Sequence, residues 1–255
     1  MEVERWLQSV VGMRVEKIPE SDAKTPDFFV SDSRHSYLLE VKDKFPNAQE
    51  LIRRKETLER GEVYDGQERL SHNRNISNVI SDAVKQLSNY NEKSADFKLV
   101  WLHARGLYPD VQMQQLEATL YGAVDITDRD TWTEGGATVK PCYFFYFNDF
   151  YQFRDTVDGA VVADDHRAKF CLNPYSLRFM ELKQSTFCQA FAGGICDPLE
   201  QEAAGRAYIA DWDGSRRDKK VTLRLLQEKY NRPNLLDFEF THLSGEMLVQ
   251  REDNE

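Results

Sequence analysis

The chain lacks what a membrane span, a zinc site or a disulfide framework requires. No apolar run in its 255 residues approaches the ~20 that cross a bilayer. The first residues, Met1-Glu-Val-Glu-Arg-Trp-Leu7, have neither the basic start nor the apolar stretch of a secretory signal, so the expected location is cytoplasmic. Cysteine is scarce: Cys142, Cys171, Cys188 and Cys196 form no Cys-x-x-Cys pair. His35, His72, His103, His166 and His242 are too scattered to complete a zinc set. Four reduced thiols are expected. No Gly-x-x-x-x-Gly-Lys-[Ser/Thr] loop occurs, which argues against ATPase or helicase chemistry in this chain. Positive charge is in deficit: 33 Lys+Arg against 43 Asp+Glu leave a net of -10. A protein that coats polyanions is thereby disfavoured, and any nucleic-acid contact must rest on a local basic groove.

What is present suffices for a core, since 41% of the residues are hydrophobic and 12% aromatic. Val3, Trp6, Leu7, Val10 and Val11 recur at helical spacing and predict an amphipathic helix over 2–11, stopped at Gly12. Strand-like runs follow at 13–18, 27–30 and 37–41, the last preceded by the polar stretch Ser31 to Ser36. The segment 45–75 is polar, partly helical around 49–60. A helix over 76–90 has Ile76, Val79, Ile80, Ala83, Val84 and Leu87 as its buried stripe. The apolar run 97–103 suits a strand covered on both faces, and 111–121 predicts another helix. Helix, three strands, helix, strand, helix is the order of an α/β domain with helices packed on a mixed sheet. Beyond it the texture changes. The segment 142–153 is dense in core-type aromatics, 160–171 and 235–240 resemble strands, and 219–230 a helix. The expected organisation is a core over 1–125 and a C-terminal α+β elaboration over 126–255. No linker separates them, so they are expected to pack as one domain.

The segment that carries chemistry is Lys24-Thr-Pro-Asp-Phe-Phe-Val30 followed by Tyr37-Leu-Leu-Glu-Val-Lys42. On a strand Glu40 and Lys42 share a face while Tyr37, Leu39 and Val41 point the other way. Asp27 opens the preceding strand, and a hairpin-like connection brings its carboxylate beside Glu40. Two carboxylates and an ammonium on one strand edge suit a hard divalent cation and a water or phosphate beside it. The acidic-x-Lys triplet alone is cheap, because Asp22-x-Lys24, Asp96-x-Lys98, Glu181-x-Lys183 and Asp218-x-Lys220 also occur. Only Glu40-x-Lys42 lies in an apolar strand shortly after a Pro-Asp.

Pro26-Asp27, a gap, then Glu40-Val41-Lys42 resembles the PD-(D/E)XK nuclease superfamily, the restriction-endonuclease-like fold. Two further elements of that pattern have counterparts. Glu4 borders the buried stripe of the first helix, and Gln86-Leu-Ser-Asn-Tyr90 supplies a Gln-x-x-x-Tyr on the helix after the motif. The resemblance covers about residues 1–105. It implies a restriction-endonuclease-like mixed sheet flanked by helices and a Mg²⁺- (or Mn²⁺-) dependent nuclease acting on DNA. It implies that Asp27 and Glu40 hold the metal with help from Glu4. Lys42 then orients the attacking water, and Gln86 positions that water, Lys42 or a phosphate. Basic residues that could meet the nucleic acid are Arg53, Arg54, Lys55, Arg60, Arg69 and Arg74 after the motif strand, and the run 215–220 with Arg224. The partners left open are a second copy of the chain or a separately encoded defence or repair protein. The alternative is a non-catalytic nucleic-acid- or protein-binding module on the same fold. A coincidental motif, with Glu40 and Lys42 a solvated ion pair on an exposed sheet face, is the third possibility.

Overall fold

A computed structural model describes residues 3–9, 11–19, 24–44, 48–68, 70–105, 108–212, 216, 218–238 and 243–247. The elements are α1 (Val3–Ser9), β1 (Arg14–Lys17), β2 (Phe28–Ser31), β3 (Ser36–Lys44), α2 (Ala48–Glu59), β4 (Tyr64–Glu68), α3 (Arg74–Asn89) and β5 (Phe97–Ala104). Then come α4 (Pro109–Tyr121), β6 (Val124–Asp128), β7 (Val139–Tyr143), α5 (Asp149–Gln152), β8 (Gly159–Ala163), β9 (Ala168–Leu172), α6 (Phe179–Lys183) and α7 (Thr186–Gln189). The chain finishes with β10 (Ile195–Cys196), α8 (Pro198–Ala203), β11 (Tyr208–Ile209), α9 (Lys219–Tyr230), β12 (Leu235–Phe238) and β13 (Leu243–Met247). No described helix is long and apolar enough to cross a membrane.

A seven-stranded mixed sheet has the order β1-β2-β3-β5-β8-β9-β10. Strands β1, β2 and β3 form an antiparallel meander, while β3, β5 and β8 are parallel. A parallel neighbour needs a crossover, and α2, β4 and α3 supply the one between β3 and β5. Alternation along the strands then decides which helix covers which face. Leu38, Val100 and Leu102 meet Ile76, Ile80, Ala83 and Leu87 of α3. Tyr37, Leu39, Leu99 and Trp101 meet Val3 and Leu7 of α1 and Phe191. With both faces covered, β5 is nearly continuous in apolar residues, as a buried parallel strand must be. Residues 159–196 add β8, β9 and β10 to this same sheet, so the sheet itself bridges the two halves of the chain.

A second sheet, β11-β7-β6-β12, packs with α9 around Val124, Ile126, Phe145, Leu226 and Leu235. Strands β4 and β13 form a separate antiparallel pair. The single strand expected over 160–171 is instead the hairpin β8–β9. Asp164 makes the turn, its Oδ1 accepting the N–H groups of His166 at 2.7 Å and Arg167 at 2.9 Å. The strand expected over 235–240 is β12, with residues 239 and 240 outside the described set, as are residues 2 and 10 of the first helix. The aromatic block is core only in part: Tyr143, Phe144, Phe145 and Phe150 are buried, whereas Phe147 and Tyr151 are exposed and Tyr146 and Phe153 half-buried. All four cysteines are buried and free.

Helix α4 ends at Gly122, whose φ of +59° is the left-handed conformation that closes many helices. A Cβ there would lie 2.5 Å from the Tyr146 carbonyl oxygen and 2.8 Å from that of Phe147, and both are backbone atoms. Gly122→Ala is therefore expected to lower stability by about 3 kcal/mol, strain and clash together. Urea denaturation of the variant beside the wild type measures this, and an unchanged midpoint would contradict the close approach.

Candidate functional site

Strand β2 accompanies β3 only as far as the pair Phe28↔Leu39. At Asp27 the chain turns away, and the Asp27 carbonyl accepts the N–H of Ile18 at 2.9 Å, anchoring the departure to the end of β1. The edge of β3 beyond Leu39 thus loses its partner strand. The Asp27 carboxylate replaces it, with Oδ2 accepting the Val41 N–H at 2.8 Å. A strand residue's N–H and C=O face the same edge, so the Val41 carbonyl opens on the same gap.

Glu40 lies on the α3 face of β3 and is 1% exposed. Its Oε1 is ion-paired with the Lys42 ammonium, which is partly open to solvent. Its Oε2 is buried with no hydrogen-bond partner. Burial is the main reason this carboxyl is pushed up to about 7; Lys42 opposes the shift, and the neighbouring Asp27 charge reinforces it. The expectation that Asp27, Glu40 and Lys42 meet on one strand edge agrees with these contacts. A solvated Glu40–Lys42 pair on an exposed face does not, since Glu40 is under the helix.

Glu4 stands elsewhere. Helix α1 covers the opposite face of the sheet, so Glu4 is separated from Glu40 by β3 itself. It accepts a hydrogen bond from Gln8 Nε2 at 3.3 Å and shares with Asp27, Lys17, Asp43, His103 and Arg105 a cleft of about 400 Å³. Asp27, at the gap, is the residue common to the cleft and to the Glu40–Lys42 side. Gln86 is half-buried on α3, one turn beyond Asp82. The Asp82 carboxyl is held below its usual range by Lys85 first, with Lys24 and Lys42 contributing, so this side of α3 lies within electrostatic reach of Lys42.

Sequence reasoning missed a polar cluster at the C-terminal ends of the parallel strands. Arg105 Nε donates to Asp43 Oδ1 at 3.0 Å, and its Nη1 to Asp165 Oδ1 at 2.7 Å. His103 Nε2 is 3.2 Å from the same Asp165 oxygen. Burial, then the Arg105 charge, lowers the His103 pKa against the opposing charges of Asp165 and Asp43, which favours the neutral ring. The available signal was positional, because ligands of α/β sheets gather beyond the carboxyl ends of the strands.

The basic candidates separate as well. Arg53 is exposed on α2, directly after β3, whereas Lys55 and Arg60 are paired with Glu59 at 3.8 Å and Glu62 at 2.9 Å. Arg69, Ser215 and Arg217 lie outside the described residues. Arg216, grouped with the basic run, proves to be an internal tie: it donates to the carbonyls of Phe144, Ala210 and Trp212. Arg224 lies 3.8 Å from Glu228.

Among the described residues no group of three or more His, Cys, Asp or Glu converges as a metal cage. Two carboxylates at an open strand edge, one with an unpartnered oxygen, nevertheless fit Mg²⁺, which keeps several waters and commonly takes only one or two carboxylates. Comparison with family models, with curated proteins and with solved structures finds no match.

The raised Glu40 carboxyl links stability to pH with a definite sign. Between its ordinary 4.5 and about 7 the native state holds a proton that the unfolded chain has released, so stability falls as pH rises through this window. The loss is on the order of 3 kcal/mol. Glu40→Gln is expected to remove that part of the slope in metal-free protein. Denaturant titrations of both proteins at pH 5 and 7.5 check this, and equal slopes would place Glu40 in contact with water.

Proposed function

We propose that this chain is a divalent-metal-dependent nuclease of the PD-(D/E)XK type, with a restriction-endonuclease-like arrangement of its mixed sheet, hydrolysing phosphodiester bonds in DNA. The observation that carries the proposal is the junction of Asp27, Glu40 and Lys42 where β2 leaves β3, with one Glu40 oxygen buried and unpartnered. A buried carboxylate left half-satisfied costs stability, and a cation ligated there offsets the cost.

Asp27 and Glu40 would hold Mg²⁺ or Mn²⁺, with the Val41 carbonyl on the same edge. A divalent cation so bound supplies Lewis acidity toward a phosphoryl group and lowers the pKa of water. The chain's residues do the rest. Lys42, steered by Glu40 and partly solvent-open, holds the attacking water or the non-bridging phosphate oxygens. Water adds to phosphorus as the P–O3′ bond breaks, and the leaving oxygen takes up a proton. Asp27, bonded to the strand edge, is preorganised because its carboxylate and its backbone carbonyl are both tied down. Gln86, one turn beyond Asp82 on α3, is the positioning residue on that helix. Glu4 lies across the sheet edge and acts on Asp27's side of the cleft. Arg53 on α2 is placed to meet nucleic-acid backbone close to the end of the motif strand.

The decisive assay incubates supercoiled plasmid, linear duplex and single-stranded DNA with the protein in Mg²⁺, Mn²⁺ or EDTA. Asp27→Ala, Glu40→Ala and Lys42→Ala are each expected to lower metal-dependent cleavage by about 10³. Glu4→Gln and Gln86→Ala, which stand apart from the Glu40–Lys42 pair, are expected to lower it about tenfold. Wild-type rates in Lys42→Ala would sink the proposal. Folded protein that binds Mn²⁺ yet cleaves nothing would favour the non-catalytic binding module, in its protein-binding form, which the net charge of -10 suits.

Metal affinity should also track Glu40. Below about pH 7 the cation must displace the proton on Glu40, so the Mn²⁺ affinity is expected to rise with pH and then level off. Calorimetric titrations across that range test this; a flat profile would exclude Glu40 as a ligand.

A further inference from the structure

Cys171 and Cys196 occupy registered positions on the neighbouring parallel strands β9 and β10. Adjacent strands lie about 4.8 Å apart, within the Cα separations that a disulfide spans. Both side chains enter the same core cluster, beside Tyr121 and Tyr143, so the two sulfurs share a face. The surroundings of Cys196 are polar in a way those of the other cysteines are not. Gln201 Nε2 donates to its sulfur at 3.8 Å, and the Tyr143 hydroxyl, which donates to Gln201 Oε1 at 2.8 Å, lies 3.5 Å from it. The Tyr121 hydroxyl fixes the Cys196 backbone through its carbonyl at 3.1 Å.

We propose that Cys196 and Cys171 form a hydroperoxide-responsive thiol pair that closes to a disulfide and staples the edge strand β10 to β9. The Cys196 sulfur attacks one peroxide oxygen, the O–O bond breaks, and water leaves after protonation. The resulting sulfenic acid is attacked by the Cys171 sulfur; the S–S bond forms, the S–O bond breaks, and a second water departs. Two thiols are oxidised by two electrons and one peroxide is reduced. The Gln201 N–H aimed at Cys196 favours its thiolate, consistent with a pKa held below the usual thiol range, chiefly by Cys171. The Cys188 thiol is pushed up to about 12 by burial, and burial raises Cys142 as well, so both serve as inert internal controls. Access to Cys196 does not require global unfolding. Strand β10 has two residues, lies at the edge of the sheet, and follows Gly193-Gly194. A strand this short at a sheet edge, held to one neighbour only, opens locally at less cost than the sheet interior.

The test treats folded full-length protein with hydrogen peroxide, then alkylates free thiols and maps peptides without reduction. The expected product is a single Cys171–Cys196 linked peptide, with Cys142 and Cys188 alkylated. Cys171→Ser should leave a Cys196 sulfenic acid that dimedone traps, and Cys196→Ser should abolish both products. Cys196 should react at least about tenfold faster than Cys142 or Cys188. Four free thiols after treatment, or equal rates at all four positions, would overturn the proposal. The wild-type map decides the matter even where a serine variant fails to fold, and none of these readouts depends on cleavage of nucleic acid.

Discussion

At Asp27 strand β2 leaves β3, and a carboxylate takes over the hydrogen bond that the next strand residue would have made to Val41. Strand edges are rarely left open inside a sheet because each unpaired backbone group costs free energy when buried. Here the aspartate satisfies the N–H while its other oxygen remains beside the gap. Everything distinctive about the site follows from that substitution. It keeps a negative charge next to Glu40, exposes the edge of an interior strand, and joins the cleft on the α1 face to the ion pair on the α3 face.

Glu40 illustrates why such an arrangement is unstable on its own terms. A carboxyl 1% exposed, with one oxygen held by Lys42 and the other unpartnered, favours its neutral form, and burial pushes it up to about 7. Apolar residues at this position, like Leu38 two places earlier, would pack against α3 without that cost. A site that sacrifices stability locally is what a binding or catalytic constellation requires, since ligands must find groups that protein alone has not satisfied. Asp149 is equally buried, and burial pushes its carboxyl up as well, to about 6, against the Ser77 hydroxyl that lies 2.8 and 2.9 Å from its two oxygens; the unpartnered oxygen is what sets Glu40 apart.

The α/β character, the amphipathic α3 and the buried β5 were legible because periodicity of 3.6 or continuous hydrophobicity survives in the local sequence. So was the Asp27–Glu40–Lys42 grouping, which needs only a short connection and strand alternation. The β8–β9 hairpin was not, because its apolar strands are separated by only four residues and the Asp164 turn works through side-chain-to-backbone bonds. The second sheet was largely hidden for another reason: β7 and β11 are short, and β11 has only two residues, so neither displays a period. Arg216 looked basic and exposed by composition, but three backbone carbonyls claim it.

By itself the sequence determined local propensities and which side chains share a strand or helix face, because these depend on neighbours a few positions apart. Only the tertiary structure decided that α1 and α3 lie on opposite faces of the sheet, so that Glu4 and Glu40 cannot stand side by side. It alone brought Asp43, His103, Arg105 and Asp165 together at the ends of three strands, and set Cys171 against Cys196. Those juxtapositions arise from strand order and register. Such order is settled by burying all the apolar faces at once, a condition on the whole chain that no short segment contains.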